Sequence, residues 1–218
     1  MMHYKAVLFD LDGTLLDTLD DLAAAANRVL AGRGYPTHGA DAYRWFVGDG
    51  SAILITRALP PEQRAPETVA ACLQAFLEDY NQNWDQATRP YDGIVPLLEQ
   101  LHARGIRMGV ITNKPHHYCR MMIDHYFSGM PLDPVLGQRN GIPKKPDPCQ
   151  ALAAAAVISV SPGACIFLGD SGVDMETARR ASMLPMGAGW GFRPPRELID
   201  AGAVRVLAHP LALLDYLE

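Results

Sequence analysis

One stretch near the start of the chain constrains its fold more than any other. Lys5-Ala6-Val7-Leu8-Phe9 reads as a short buried strand, and it empties into Asp10-Leu11-Asp12-Gly13-Thr14. Two acids one residue apart thus stand at the carboxyl end of a strand, where an open α/β sheet holds its ligands. Gly13 permits the chain to turn there, because glycine alone tolerates positive φ cheaply. Acids this close repel unless a cation or a shared proton intervenes. The plainer alternative is a strand followed by an acidic helix start, with both carboxylates solvated.

The rest of the chain decides what kind of sheet this strand belongs to. After Thr18, apolar residues at Leu19, Leu22, Ala23, Ala26, Val29 and Leu30 form a helical stripe, and Thr18 with Asp21 resembles a capping box. Gly32 and Gly34 end that helix. Ser51 is placed to cap a second helix through Arg57 and Leu59, and a longer one is expected from about Pro66 to Asn83. No strand pattern is visible between Gly13 and Tyr91. A block of about 70 helical residues after a single strand is too long for an ordinary crossover. It reads as a helical domain inserted into the chain.

From Pro90 onward strands and helices alternate. Strands are expected at 107–111, 134–137, 164–168, more weakly at 184–187, and at 204–206. Helices are expected at 95–104, from Pro115 to about 126, at 149–157, from about 172 to 182, at 194–201 and at 211–217. This order predicts an α/β fold, a doubly wound parallel sheet with a Rossmann-like core. The expected domains are residues 1–15 with 91–218 as the core, and 16–90 as the helical insert.

Chemically loaded residues follow several of these strands. They are Asp10 and Asp12; Thr112, Asn113 and Lys114; Lys144 and Lys145 in a preceding loop; and Asp170 with Asp174. Taken singly, Thr112-Asn113 is a turn, the lysines are solvated loop charges, and Gly169-Asp170-Ser171 is a helix cap. In a parallel sheet, however, the carboxyl ends share one edge, and unrelated accidents have no reason to gather there. The inventory suits phosphoryl transfer to a carboxylate. Three acids can hold Mg2+, which prefers oxygen ligands. One acid can be a covalent nucleophile. A lysine, a threonine hydroxyl and backbone N–H groups can neutralise phosphoryl oxygens.

The net charge of −5 gives no electrostatic reason to expect nucleic acid or an anionic membrane as a partner. An anionic substrate would therefore need positive charge concentrated at the site itself. Cys72, Cys119, Cys149 and Cys165 lie far apart without zinc-site spacing. With no signal segment before the first strand and no apolar run long enough for a bilayer, a reducing, cytoplasmic setting is expected.

The stretches DLDGT, ITN, KKPDP and GDSGVD, in this order, resemble the four signatures of the haloacid dehalogenase-like hydrolase superfamily. The resemblance covers the whole chain, with the helical insert resembling that family's α-helical cap. Thr112–Pro115, Trp45–Gly50 and Trp190–Leu198 resemble the phosphoglycolate phosphatase branch. The resemblance implies Asp10 as nucleophile, forming a phospho-aspartyl intermediate. It implies Asp12 as the acid and then base, its carbonyl also on Mg2+. Thr112 and the Asn113 backbone would bind phosphoryl oxygens. Lys145 would pair with Asp10 and the phosphate, although Lys144 beside it offers the same chemistry. Asp170 would be a metal ligand and Asp174 an auxiliary one. Aspartate at position 12 favours a phosphatase or phosphomutase over a dehalogenase, and the Thr112–Pro115 stretch does not resemble the mutases.

Substrate choice is expected in the cap, with Gly48, Asp49 and Gly50 as its loop and Arg57 and Lys114 as cations able to receive a substrate carboxylate. The implied substrate is a small phosphorylated metabolite, 2-phosphoglycolate first, with sugar phosphates, nucleotides or pyrophosphate as alternatives. A non-catalytic aspartyl phospho-acceptor module is the reading from another class. It accounts for neither the insert nor Asp12. The assembly is expected to be a monomer or a homodimer.

Overall fold

The computed structural model describes residues 4–217. The expected domain bounds at 1 and 218 therefore lie outside the described residues. By its internal packing the chain forms two compact units. One comprises Met1–Leu16 and Pro90–Glu218, the other Asp17–Arg89.

The first unit is built on β1 (Ala6–Phe9), whose four residues are all buried. Where the chain passes from one unit to the other, β2 (Leu16–Asp17) and β3 (Arg89–Pro90) pair as a separate two-stranded ribbon. Hydrophobic patterning gives no sign of such short pieces, so the expectation of no strand before Tyr91 is corrected here. Then follow α5 (Ile94–Ala103), β4 (Arg107–Pro115), α6 (His116–Tyr126), β5 (Leu132–Gln138), α7 (Cys149–Val157), β6 (Cys165–Gly169), α8 (Gly172–Arg180), β7 (Leu184–Ala188), α9 (Pro195–Asp200) and β8 (Arg205–Leu207). The final segment, expected as an α-helix, is a 3-10 helix over Pro210–Tyr216.

The main sheet has the order β5-β4-β1-β6-β7-β8, every neighbouring pair parallel. β1 is flanked by β4, with Phe9 opposite Val110, and by β6, with Phe9 opposite Leu168. The sheet is therefore wound outward in both directions from β1, which puts the topological switch at its carboxyl end. Such strands are covered on both faces and read as continuous apolar runs. Leu8, Ile111 and Phe167 pack with Ala151, Ala154 and Ala155 of α7 and Ala178 of α8. Alanines on these helices let the helix backbone approach the sheet.

The second unit holds α1 (Leu19–Gly32), α2 (Ala40–Phe46), α3 (Ser51–Ala58) and α4 (Pro66–Asn83). Cys72, Phe76 and Tyr80 of α4 are buried, as are Leu22, Ala26 and Leu30 of α1. Tyr43 donates to Asn27 Oδ1 at 2.7 Å, which satisfies a fully buried hydroxyl. Two capping expectations are corrected. Ser51 is the first residue of α3 and Gly50, at φ 91°, is its N-cap. Thr18 makes no side-chain cap. Asp21 accepts instead from the Ala87 and Thr88 amides at 3.0 and 2.8 Å and from the Thr88 hydroxyl at 2.7 Å. A buried carboxylate takes three real donors over one local cap, because each unmet lone pair is costly there. No helix among the described residues is long and apolar enough to cross a membrane.

Candidate active site

Asp10 follows directly from β1, its N–H donating to Leu168 O at 2.9 Å. The chain then turns: Gly13 has φ 81° and its N–H donates to Leu16 O at 2.8 Å. A Cβ on Gly13 would lie 2.2 Å from Asp170 Oδ2, so that turn needs glycine for space as well as for φ. Asp170 follows β6, the neighbouring strand. Its Oδ2 accepts from the Phe192 N–H at 2.7 Å. A Cβ on Gly191 would lie 2.3 Å from Asp170 Cβ. The backbone thus closes around Asp170 from both sides.

Asp174 sits in the first turn of α8 and completes a capping box with Ser171. Its Oδ2 accepts from the Ser171 N–H and hydroxyl at 3.1 and 2.6 Å. Its Oδ1 accepts from the Lys145 ammonium at 2.6 Å, and that ammonium also lies 2.8 Å from Asp10 Oδ1. The contact to Asp10 is a buried ion pair. Of the two neighbouring lysines it is Lys145, buried, that reaches the acids. The Asn113 side chain holds it there: Nδ2 donates to Lys145 O at 3.1 Å, and Lys145 N donates to Oδ1 at 2.9 Å.

β4 extends through Pro115, so Thr112, Asn113 and Lys114 lie on the strand rather than beyond it. Thr112 is buried and its hydroxyl accepts from Lys114 N at 3.2 Å. The Lys114 ammonium lies 3.0 and 3.3 Å from the two carboxylate oxygens of Asp12. Gly48, Asp49, Gly50 and Arg57 belong to the other unit. There Arg57 pairs with Asp49 at 2.6 Å and donates to the carbonyls of Trp45 and Phe46. That arginine braces its own loop.

Asp10, Asp170 and Asp174 each place a carboxylate oxygen within 4.8 Å of the others, all three buried. Burial pushes the Asp10 carboxyl up to about 7, with Lys145 opposing and Asp174 reinforcing the rise. Burial likewise holds Asp170 well above the usual carboxylate range, with Asp174 and then Asp10 adding to it. Burial works against the charged Lys145, but Asp10 and Asp174 outweigh it and raise its pKa. One ammonium faces three acids, more carboxyls than that cation can balance once they ionise. An all-oxygen donor set of this kind suits a hard divalent cation.

Some participants were invisible in the sequence. Gly169 is needed because a Cβ there would lie 2.3 Å from Asp174 Cβ. Trp190 Nε1 donates to Thr14 O at 3.0 Å, tying the 190–192 segment to the turn after β1. The resemblance around Trp190 singled out that segment, but no pattern in it says that a backbone N–H at 192 orients an acid at 170.

The haloacid dehalogenase-like hydrolase family model matches residues 7–187. The phosphoglycolate phosphatase of Pseudomonas putida is 32% identical, covering 96% of this chain and 78% of its own. The N-acetylmuramic acid 6-phosphate phosphatase of Pseudomonas aeruginosa is 31% identical, covering 100% and 96%. A crystal structure from Lactobacillus delbrueckii subsp. bulgaricus superimposes with a TM-score of 0.93 at 28% identity, covering 99% of each chain. The chain belongs to the haloacid dehalogenase-like hydrolase family.

Proposed function

We propose that this chain is a Mg2+-dependent phosphomonoesterase acting through a phosphorylated Asp10, with 2-phosphoglycolate as its first candidate substrate. The observation that carries the reading is the single buried hollow formed by Asp10, Lys145, Asp170 and Asp174. The relatives named phosphoglycolate phosphatase support the substrate. Asp10, Asp170 and the Asp12 carbonyl would hold the cation, with Asp174 auxiliary, since both its oxygens already serve Lys145 and Ser171. Bound there, Mg2+ would supply the positive charge that these acids need in order to ionise.

The residues divide the chemistry as follows. A carboxylate oxygen of Asp10 attacks phosphorus as the bond to the leaving oxygen breaks, and Asp12 gives that oxygen a proton. Asp12 then takes a proton from water as the water oxygen attacks phosphorus, and the Asp10–phosphorus bond breaks to release phosphate. The Thr112 hydroxyl, the Asn113 N–H and the Lys145 ammonium meet the phosphoryl oxygens, where charge spreads in the transition state. The Asp17–Arg89 unit would serve as the cap that selects substrates, with Gly48, Asp49 and Gly50 as its loop.

The relative named for N-acetylmuramic acid 6-phosphate favours a second reading, a phosphatase for an acidic sugar phosphate. Phosphate release should be measured from 2-phosphoglycolate, N-acetylmuramic acid 6-phosphate and a panel of other esters, with and without Mg2+. Mg2+-dependent turnover highest on 2-phosphoglycolate supports the first reading, and highest on the sugar the second. Negligible release from every ester would sink both.

A further inference from the structure

We propose that Lys114 is a positioning residue that aims the Asp12 carboxylate, rather than a receptor for the substrate's own carboxylate. The inference rests on the assignment of Asp12 as proton donor and acceptor given above. Lys114 is the third of three consecutive β4 residues with polar tasks, and its side chain is only 4% exposed. An ammonium so deeply placed is costly unless it is paired. Here its charge meets both oxygens of Asp12, at 3.0 and 3.3 Å; during the reaction the ammonium keeps the nearer oxygen, and the farther one carries the proton that passes to the leaving group. A cation clamped to the chain's own acid is poorly placed to wait for an incoming anion.

Asp12 needs such a clamp for a geometric reason. It stands in the turn where the chain leaves β1, just before Gly13 at φ 81°. Proton transfer requires the acid within about 3 Å of the reacting oxygen. Lys114 lies on β4, whose Arg107–Val110 stretch pairs in register with β1 and whose next residue after Lys114, Pro115, pairs with Gln138 of β5. The ammonium therefore refers the Asp12 carboxylate to a rigid strand. Adjacent β4 residues divide the work: Asn113 fixes the Lys145 backbone, and Lys114 fixes Asp12.

The test compares wild type with Lys114→Met and Lys114→Arg on three esters in Mg2+. These are 2-phosphoglycolate, 2-hydroxyethyl phosphate, which lacks the carboxylate, and p-nitrophenyl phosphate, whose leaving group needs no proton. kcat/KM isolates the steps through cleavage of the ester. For Lys114→Met the expected loss is about 100-fold on both alkyl esters alike, and at least about tenfold smaller on the aryl ester, since general acid help is worth about 10^2 to 10^4. Lys114→Arg keeps a cation at altered reach and should show the same selectivity with a smaller loss; it carries the test if the methionine variant does not fold. A loss confined to 2-phosphoglycolate would make Lys114 a carboxylate receptor and overturn the proposal. Equal losses on all three esters would reduce it to a structural residue. A wild-type protein inert toward all three would instead remove the phosphatase reading, and this proposal with it.

Discussion

Three acids crowded around one ammonium predict how a divalent cation and pH act together on stability. Asp10 has its native pKa pushed from an ordinary 3.8 to about 7, chiefly by burial. A carboxyl raised in this way keeps its proton in the folded chain at pH values where the unfolded chain has lost it. Its contribution to stability therefore falls as pH rises from about 4 to about 7, and stays lost above that. The gap corresponds to a few kcal/mol. Asp170, raised for the same reason, acts in the same direction. A cation that needs the ionised acid competes with this proton. At about pH 8, Mg2+ at a hundredfold excess over its Kd should add about 2.7 kcal/mol. At about pH 5.5 the proton weakens binding more than tenfold, leaving about 1 kcal/mol at the same Mg2+ concentration. For a chain of this size those figures correspond to Tm increases of about 5–10 °C and about 2–3 °C. Thermal unfolding at the two pH values, with and without Mg2+, reads the difference directly. Asp10→Asn should flatten it. An Mg2+ shift that is equal at both pH values, or larger in acid, would refute the placement of the cation among these carboxylates.

Lys145→Met removes the only ammonium among the described residues within reach of both Asp10 and Asp174. It should destabilise the chain by about 3 kcal/mol in urea unfolding, the acids escaping further loss by taking up protons, and lower kcat by about a hundred- to a thousandfold. Asp21→Ala strips the Ala87 and Thr88 amides and the Thr88 hydroxyl of their acceptor. It should cost about 3 kcal/mol and speed hydrogen exchange at those two amides; a change below about 0.5 kcal/mol would mean that water replaces the carboxylate freely.

How much of this was legible in the sequence depended on the range of each interaction. The alternation after Pro90 gave the parallel sheet, because buried strands announce themselves as short apolar runs such as Val110-Ile111 and Ile166-Phe167-Leu168. Ser171 and Asp174 form a capping box that is local and readable from spacing alone. Thr18 and Asp21 have the same spacing, yet Asp21 turns to residues 66 and 67 positions away. Nothing within a helical turn of Asp21 foretells that choice. The gathering of Asp10, Lys145, Asp170 and Asp174 was legible as strand-end chemistry. Which lysine of Lys144-Lys145 reaches the acids was not, since it depends on the Asn113 clamp. The same limit applied to Lys114, whose partner is 102 residues distant, and to the glycines at 169 and 191, whose need for space exists only once the acids are in place.

The most direct test of the account is the fate of the phosphoryl group on Asp10. Wild-type protein should be mixed with substrate and Mg2+, quenched in acid within the first turnovers, and digested for mass spectrometry. The account predicts the mass of one phosphoryl group on the peptide that contains Asp10, absent from Asp10→Asn and lost as turnover completes. Steady phosphate release with that peptide unmodified at every quench time, or with the group on another residue, would contradict it.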